Sequence, residues 1–146
     1  MSQIAFVNLP VTDLSRARSF YAALGFSFDE RFSDDRAACV VVSEHIFLML
    51  LTRERFAEFT PRPIGDPARA TSVLLALSRS SREEVDAFMA AGLRAGGTDN
   101  DMIQDHGFMY ARSISDPDGN VLEPAWMDVT AYERSLGDEL NSAIDA

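Results

Sequence analysis

The chain has 146 residues, 47% of them apolar and 25% charged, proportions that suit a compact globular domain and argue against a disordered or fibrous protein. Acidic residues outnumber basic ones 23 to 13, for a net charge of −10, and basic residues never cluster beyond pairs such as Arg16/Arg18 and Arg53/Arg55, so nucleic acid is not an expected partner. Every basic residue is arginine, which excludes lysine Schiff-base and lysine general-base chemistry.

Arginine stays protonated, so His45 and His106 are the only side chains that titrate near neutrality without a perturbed environment. The single cysteine, Cys39, sits in an apolar run and reads as a buried thiol with no disulfide partner. The longest apolar runs are six residues, far short of the about 20 that span a bilayer, and the N-terminus lacks the basic and apolar regions of a signal peptide. The expectation is a cytoplasmic protein without a membrane partner.

Residues 4–11 alternate as a strand, with Val7, Leu9 and Val11 on one face and Phe6, Asn8 and Pro10 on the other. Thr12-Asp13 caps a helix whose apolar stripe is Leu14, Ala17, Phe20, Tyr21 and Leu24, ending at Gly25. Strands follow over 26–32, 36–43 and 46–52, the last two joined by a turn at Ser43-Glu44-His45. This βαβββ module runs over 4–59 and includes a short amphipathic segment from Arg53 to Phe59. A linker of three prolines and a glycine occupies 60–70.

The pattern then restarts over 71–127. Ser72 to Leu77 reads as a strand, Ser80-Ser81 caps a helix carrying Val85, Phe88, Met89 and Leu93, and a polar stretch covers 98–106. Strands at 107–115 and 120–127 flank the Asp116-Pro117-Asp118-Gly119 turn. Superposing Phe6–Val11 on Ser72–Leu77 aligns aliphatic residues at alternate positions ahead of a capped helix, the trace of a duplicated unit. The tail, 128–146, is acidic, with Tyr132, Leu136 and Leu140 at helical spacing. The predicted fold is α+β: two βαβββ modules forming paired curved mixed sheets around a cup, with one helix outside each sheet.

The string from Phe6 to Leu14, the following Ser19-Phe20-Tyr21-Ala22-Ala23-Leu24-Gly25-Phe26, and Asp116-Pro117-Asp118-Gly119-Asn120-Val121-Leu122-Glu123 together resemble the glyoxalase / bleomycin-resistance / extradiol-dioxygenase group, the vicinal oxygen chelate superfamily. Asp105 to Tyr110 and Met49 to Thr52 also resemble a bacterial glyoxalase-like subgroup. The resemblance implies a divalent metal at the floor of the cup, held by residues of four strands, and chemistry of lactoylglutathione-lyase or dioxygenase type. Carried over residue by residue, the ligand positions fall on Phe6, Ser72, Met49 (Leu48 in the adjacent register) and Glu123. Only Glu123 is a competent ligand for a hard cation, so no metal or other cofactor is expected. A two-histidine, one-carboxylate site with His45 and His106 would need His45 to reach inward from a hairpin tip.

Strand parity places Phe6, Asn8, Ser72, Leu74 and Glu123 on the cup side, and the resemblance adds Met49, giving an apolar surface with a few polar groups, as small-molecule pockets are built. These five residues around Glu123 are the ligand-binding candidates. Glu123, with His106 and Tyr110 assisting, is the candidate for proton transfer. The expected function is binding of a small organic molecule without the usual metal; the alternatives are a metal-dependent lyase or dioxygenase, and a non-catalytic structural or partner-binding protein. Exposed sheet edges and surplus aromatics point to a homodimer.

Overall fold

The computed structural model describes residues 2–145. Two four-stranded mixed sheets form the framework. In the first, β1 (Ala5–Val11) pairs in parallel with β4 (Ile46–Thr52), which pairs antiparallel with β3 (Ala37–Val41), flanked by β2 (Ser27–Phe28). In the second, β5 (Leu74–Ser78) pairs in parallel with β8 (Val121–Met127), followed by β7 (Met109–Ser115) and β6 (Thr98–Asp105). Helix α1 (Leu14–Ala23) follows β1, the short α2 (Arg53–Ala57) follows β4, α3 (Arg82–Arg94) follows β5, and α4 (Val129–Ile144) follows β8. No helix among the described residues is long and apolar enough to cross a membrane.

Each long helix starts where its sequence says it should. Asp13 accepts the Arg16 N–H and Ser81 accepts the Glu84 N–H, so one orphan donor of each first turn is satisfied. Glu84 in turn accepts the N–H of Ser80, the residue before the cap, at 2.8 Å. These caps align the two modules with an offset that pairs Ala17 with Val85, Phe20 with Phe88 and Tyr21 with Met89, all buried. The same offset pairs Phe6 with Leu74 and Asn8 with Ala76. Ser72 therefore lies ahead of β5 and is not the counterpart of Phe6.

Two other elements differ from the sequence expectation, and the tail follows its helical spacing. The strand expected over 26–32 is cut to two residues because Asp29 caps a 3-10 turn at Glu30–Phe32, accepting the Arg31 N–H. The polar stretch 98–106 contains an edge strand, β6, whose register shifts between Asp99 and Ile103. That irregularity, together with Asp101 at φ 56°, breaks the alternation by which strands are recognised. The tail forms a 16-residue helix whose apolar stripe, Val129, Leu136, Leu140 and Ile144, is exposed, while Tyr132 packs on Phe108 at 5.3 Å.

Both modules contribute to one core. Leu9, Val11, Val40, Leu48 and Leu50 from the first sheet join Phe20 and Tyr21 of α1, Phe88 and Met89 of α3, and Leu77, Ile114 and Leu122 of the second sheet. Each fully buried side chain of this size contributes roughly 1.5–3 kcal/mol. Gly92 of α3 lets the helices meet: a Cβ there would lie 2.5 Å from Ile114 Cδ1 and 3.3 Å from Leu24 Cδ2.

The strongest polar tie between modules is the Asp116–Asn120 turn. Asp116 Oδ1 accepts the backbone N–H groups of Asp118 and Asn120, both at 2.9 Å, while Oδ2 accepts the Tyr21 O–H and the Asn120 side-chain N–H, also both at 2.9 Å. Burial pushes the Asp116 carboxyl above the usual carboxylate range, against the four donors that lower it. Next to it, Asp118 Oδ1 accepts the Thr12 N–H and O–H at 2.9 and 2.8 Å and Arg16 at 3.2 Å. Gly119, at φ +100°, lies against the linker: a Cβ would stand 2.6 Å from Ala68 N and from the Pro67 carbonyl carbon.

Tyr21→Phe leaves a buried carboxylate one donor short and is expected to lower unfolding free energy by about 1–3 kcal/mol in urea titration; an unchanged midpoint would mean that the bond contributes nothing. Gly119→Ala combines a backbone clash with left-handed strain costing about 1–3 kcal/mol. It should displace the linker and accelerate tryptic cleavage after Arg69, whereas cleavage at the wild-type rate would show that Gly119 does not seat the linker.

Candidate functional site

Helix packing fixes which face of each sheet is free. In the first sheet the core takes Val7, Leu9, Leu48, Leu50, Val40 and Ala38, so Phe6, Asn8, Phe47 and Met49 stand on the concave face. Phe6 and Phe47, paired in register, stack with centroids 5.0 Å apart and planes 17° from parallel, and Phe6 remains 48% exposed. Asn8 and Met49 are the next pair along. Leu48 is fully buried on the other face, so Met49 is the concave-face residue of this stretch.

In the second sheet Leu122 and Pro124 are buried on the helix side and Glu123 stands on the concave side. Its neighbour on β5 is Ala76. The register between the Ala111–Ala125 and Ile114–Leu122 pairs puts Ser113 opposite it on β7. Glu123 makes no hydrogen bond or ion pair with a described residue, so its carboxylate is half-buried and uncommitted. Beyond Ser113 lies a short polar ladder: Asn100 donates to Ser113 Oγ at 2.9 Å and accepts from Ser115 Oγ at 3.0 Å. The bulge in β6 places Asn100 there, and the sequence reading, which took 98–106 as a polar stretch, gave it no role.

Linker residues Pro67 to Ser72 cross this face. On one side they bound a cavity of ≈ 820 Å³ with Leu74, Met102, Val121, Asn100, Ser113 and Ser115. On the other they bound an apolar chamber of ≈ 220 Å³ with Asn8, Leu9, Pro10, Phe56 and Leu75. Pro67, Ala70, Thr71, Ser72, Gly119 and Val121 line both, so the two form one cleft divided by the linker. Asn8, Ser72 and Leu74 therefore belong to it. Phe6, Met49 and Glu123 share the concave faces without lining these two chambers.

The residues expected to assist Glu123 are elsewhere. Tyr110 falls on the helix side, where its O–H donates to Asp86 of α3 at 2.6 Å, which raises the phenol above its usual value. His106 is at the exposed β6–β7 hairpin, its ring 6.2 Å from Phe108 and its backbone bonded to Met109. That hairpin is beside Met127, four residues along β8 from Glu123 and so about 13 Å away at strand spacing. Arg82 pins it with two bonds to Asp105, at 3.0 and 2.5 Å, and holds that carboxyl down at about 2. His45 is exposed in the β3–β4 hairpin, its carbonyl accepting the Ala5 N–H at 2.8 Å.

A divalent metal at the floor of the cup does not fit these residues. The positions the resemblance assigns are Phe6, Met49 and Glu123, with Leu74 rather than Ser72 as the second-module counterpart of Phe6, so one carboxylate stands beside a ring, a thioether and an alkyl group; the strand partners of Met49 and Glu123 add only the Asn8 amide and the Ala76 methyl group. A hard cation needs several oxygen or imidazole donors. Among the described residues no group of three or more His, Cys, Asp or Glu side chains could hold a metal ion.

Residues 3–43 match the family model described as bleomycin resistance protein-like N-terminal. No curated protein matches the chain in sequence. Among solved structures, a glyoxalase-related enzyme from Fulvimarina pelagi aligns with TM-score 0.73 at 21% identity, over 86% of this chain and 88% of that one. A hypothetical protein from S. aureus aligns with TM-score 0.72 at 22% identity, over 86% and 94%. A glyoxalase/bleomycin resistance protein/dioxygenase family enzyme from Burkholderia phytofirmans PsJN aligns with TM-score 0.71 at 19% identity, over 87% and 100%. At these identities the structures show a common fold. The chain thus has the two-module fold of these structures over most of its length, and its residues 3–43 are similar to the N-terminal part of bleomycin resistance-like proteins.

Proposed function

We propose that the chain binds a small organic molecule in the linker-divided cleft and holds it by apolar contact and hydrogen bonds, without a resident metal. The observation that carries this reading is the cavity of ≈ 820 Å³ whose apolar wall includes Leu74, Met102 and Val121 and whose polar groups include Asn100, Ser113 and Ser115 together with Arg69 and Asp116. Its size lies within the roughly 300–1,000 Å³ of ligand pockets, and it offers both apolar wall and hydrogen-bonding groups. The likeness of residues 3–43 to bleomycin resistance proteins favours retention of a ligand over its conversion.

Charge selects among ligands. A chain of net charge −10 attracts cations, and Glu123, free of any partner, stands beside the cavity wall at Ser113. A ligand that is apolar over most of its surface and carries one cationic or hydrogen-bond-donating end fits best. Proton transfer by Glu123 would have to proceed without Tyr110 and His106, which stand apart from it.

The reading is tested by thermal shift and calorimetry with a panel of cationic, neutral and anionic small organic compounds. Cationic amphiphilic members should raise the melting temperature saturably. Leu74→Arg, at a position 59% exposed and so tolerant of substitution, sets a cation in the wall and should weaken binding of the cationic members by about tenfold or more, equivalent to about 1.4 kcal/mol. A panel without any saturable ligand, or binding that Leu74→Arg leaves unchanged, would overturn it.

A further inference from the structure

Nearly every arginine that the fold removes from water is neutralised. Arg16, Arg18, Arg36, Arg55, Arg82 and Arg112 lie within 4.0 Å of a carboxylate, and Arg53 donates to the carbonyls of Ile64 and Gly65. Arg62, Arg94 and Arg134 have no carboxylate partner but are exposed to solvent. Arg79 differs from both groups. It is half-buried, donates no side-chain hydrogen bond to a described residue, and its Nε is buried without a partner.

Its position follows from β5. The Arg79 N–H continues the β5–β8 pairing by donating to Ala125 O at 2.7 Å, and its parity with Leu75 and Leu77 turns the side chain to the helix side. There the guanidinium carbon stands 4.7 Å from the Phe88 ring centre and 5.7 Å from that of Phe26, over an edge-to-face pair. The rings hold the planar group in place and leave its N–H edge unbonded. The nearby acid on α3, Glu84, accepts from the Ser80 N–H instead and forms no ion pair with Arg79.

Arg79 also lines a cavity of ≈ 520 Å³ where the end of β5 meets the β2 and β3–β4 regions of the first module. Its walls include Leu24, Val42, Ile46 and Leu77, with Ser27 and Ser78 at the polar side, and none of its residues lines the linker-divided cleft. Leaving the buried Nε–H without an acceptor is costly. Although the chain has 23 acidic residues, none of them lines this cavity.

We propose that Arg79 anchors a second ligand site that takes a small organic monocarboxylate, its carboxylate on the N–H fork and its apolar body against Leu24, Val42 and Leu77. The fork matches a carboxylate with two parallel bonds, and two hydroxyls can complete its coordination. With one cation in the lining and a net charge of −10 around it, a monoanion suits the site better than a doubly charged phosphate.

The experiment titrates benzoate, hexanoate, inorganic phosphate and the neutral control benzamide into the full chain by calorimetry, with Arg79→Met and Arg79→Lys alongside. Benzoate and hexanoate should bind saturably, phosphate and benzamide at least about tenfold more weakly, and both variants should lose about tenfold or more in benzoate affinity, as expected for a charged hydrogen bond. In the wild-type chain the Arg79 Nε–H resonance should shift with benzoate and not with benzamide, a readout that stands even where Arg79→Met fails to fold. Equal benzoate binding by a folded Arg79→Met, no benzoate-induced shift, or preference for phosphate would overturn the proposal. So would loss of a dimer in Arg79→Met by sedimentation, which would assign the fork to a carboxylate of a second copy.

Discussion

A single buried carboxylate, that of Asp116, holds the two halves of the chain in register. It draws donors from its own turn and from Tyr21 of α1, so the β7–β8 turn cannot move without pulling on the first module. Burial alone would favour the neutral acid. Four donors offset part of that, so each one lost leaves the buried carboxyl less well satisfied. Asp118, binding Thr12 and Arg16 two residues on, repeats the tie at the surface side. Between them Gly119 offers the bare backbone against which the linker lies, and the linker in turn divides the cleft. The motif at 116–120 is thus architectural: it builds the walls of the site without presenting chemistry to it.

What the walls enclose determines the chemistry available. The ligand positions that the resemblance implies hold Phe6, Leu74, Met49 and Glu123, with Asn8 and Ala76 as the strand partners of the last two. Of these only the Glu123 carboxylate and the Asn8 amide offer a divalent cation an oxygen. The stacked Phe6 and Phe47 rings and the Asn100–Ser113–Ser115 ladder are the features this chain presents on its concave faces, and both are suited to holding an organic molecule by its surface and its hydrogen-bonding edge. The proposed function rests on that replacement of charge by contact.

Much of this was readable in advance, for reasons that can be named. The first helix carries its cap, its stripe and its stop in contiguous sequence, and β4 is a continuous apolar run; local signals of this kind survive without tertiary information. Parity then placed Phe6, Asn8, Leu74 and Glu123 on the concave side, because the alternating residues are buried by the helices. Where pairing or register decided the matter, local pattern failed. Asn100 was hidden in a strand whose bulge and positive-φ aspartate break alternation. Ser72 fell short of β5 because the helix caps, rather than the aliphatic letters, set the offset between modules. Tyr110 turned out to face α3, since the β7–β8 register carries it with Trp126 to the helix side. The burial of Asp116 could not be inferred from a turn sequence that is equally common at surfaces.

The central claim, that this cup holds its ligand without a metal, is tested most directly by the metal content of the purified chain measured beside that of Glu123→Ala. Far less than one equivalent of magnesium, manganese, iron, nickel or zinc in both proteins is the predicted result. A full equivalent in the wild-type chain that disappears with the Glu123 carboxylate would contradict it.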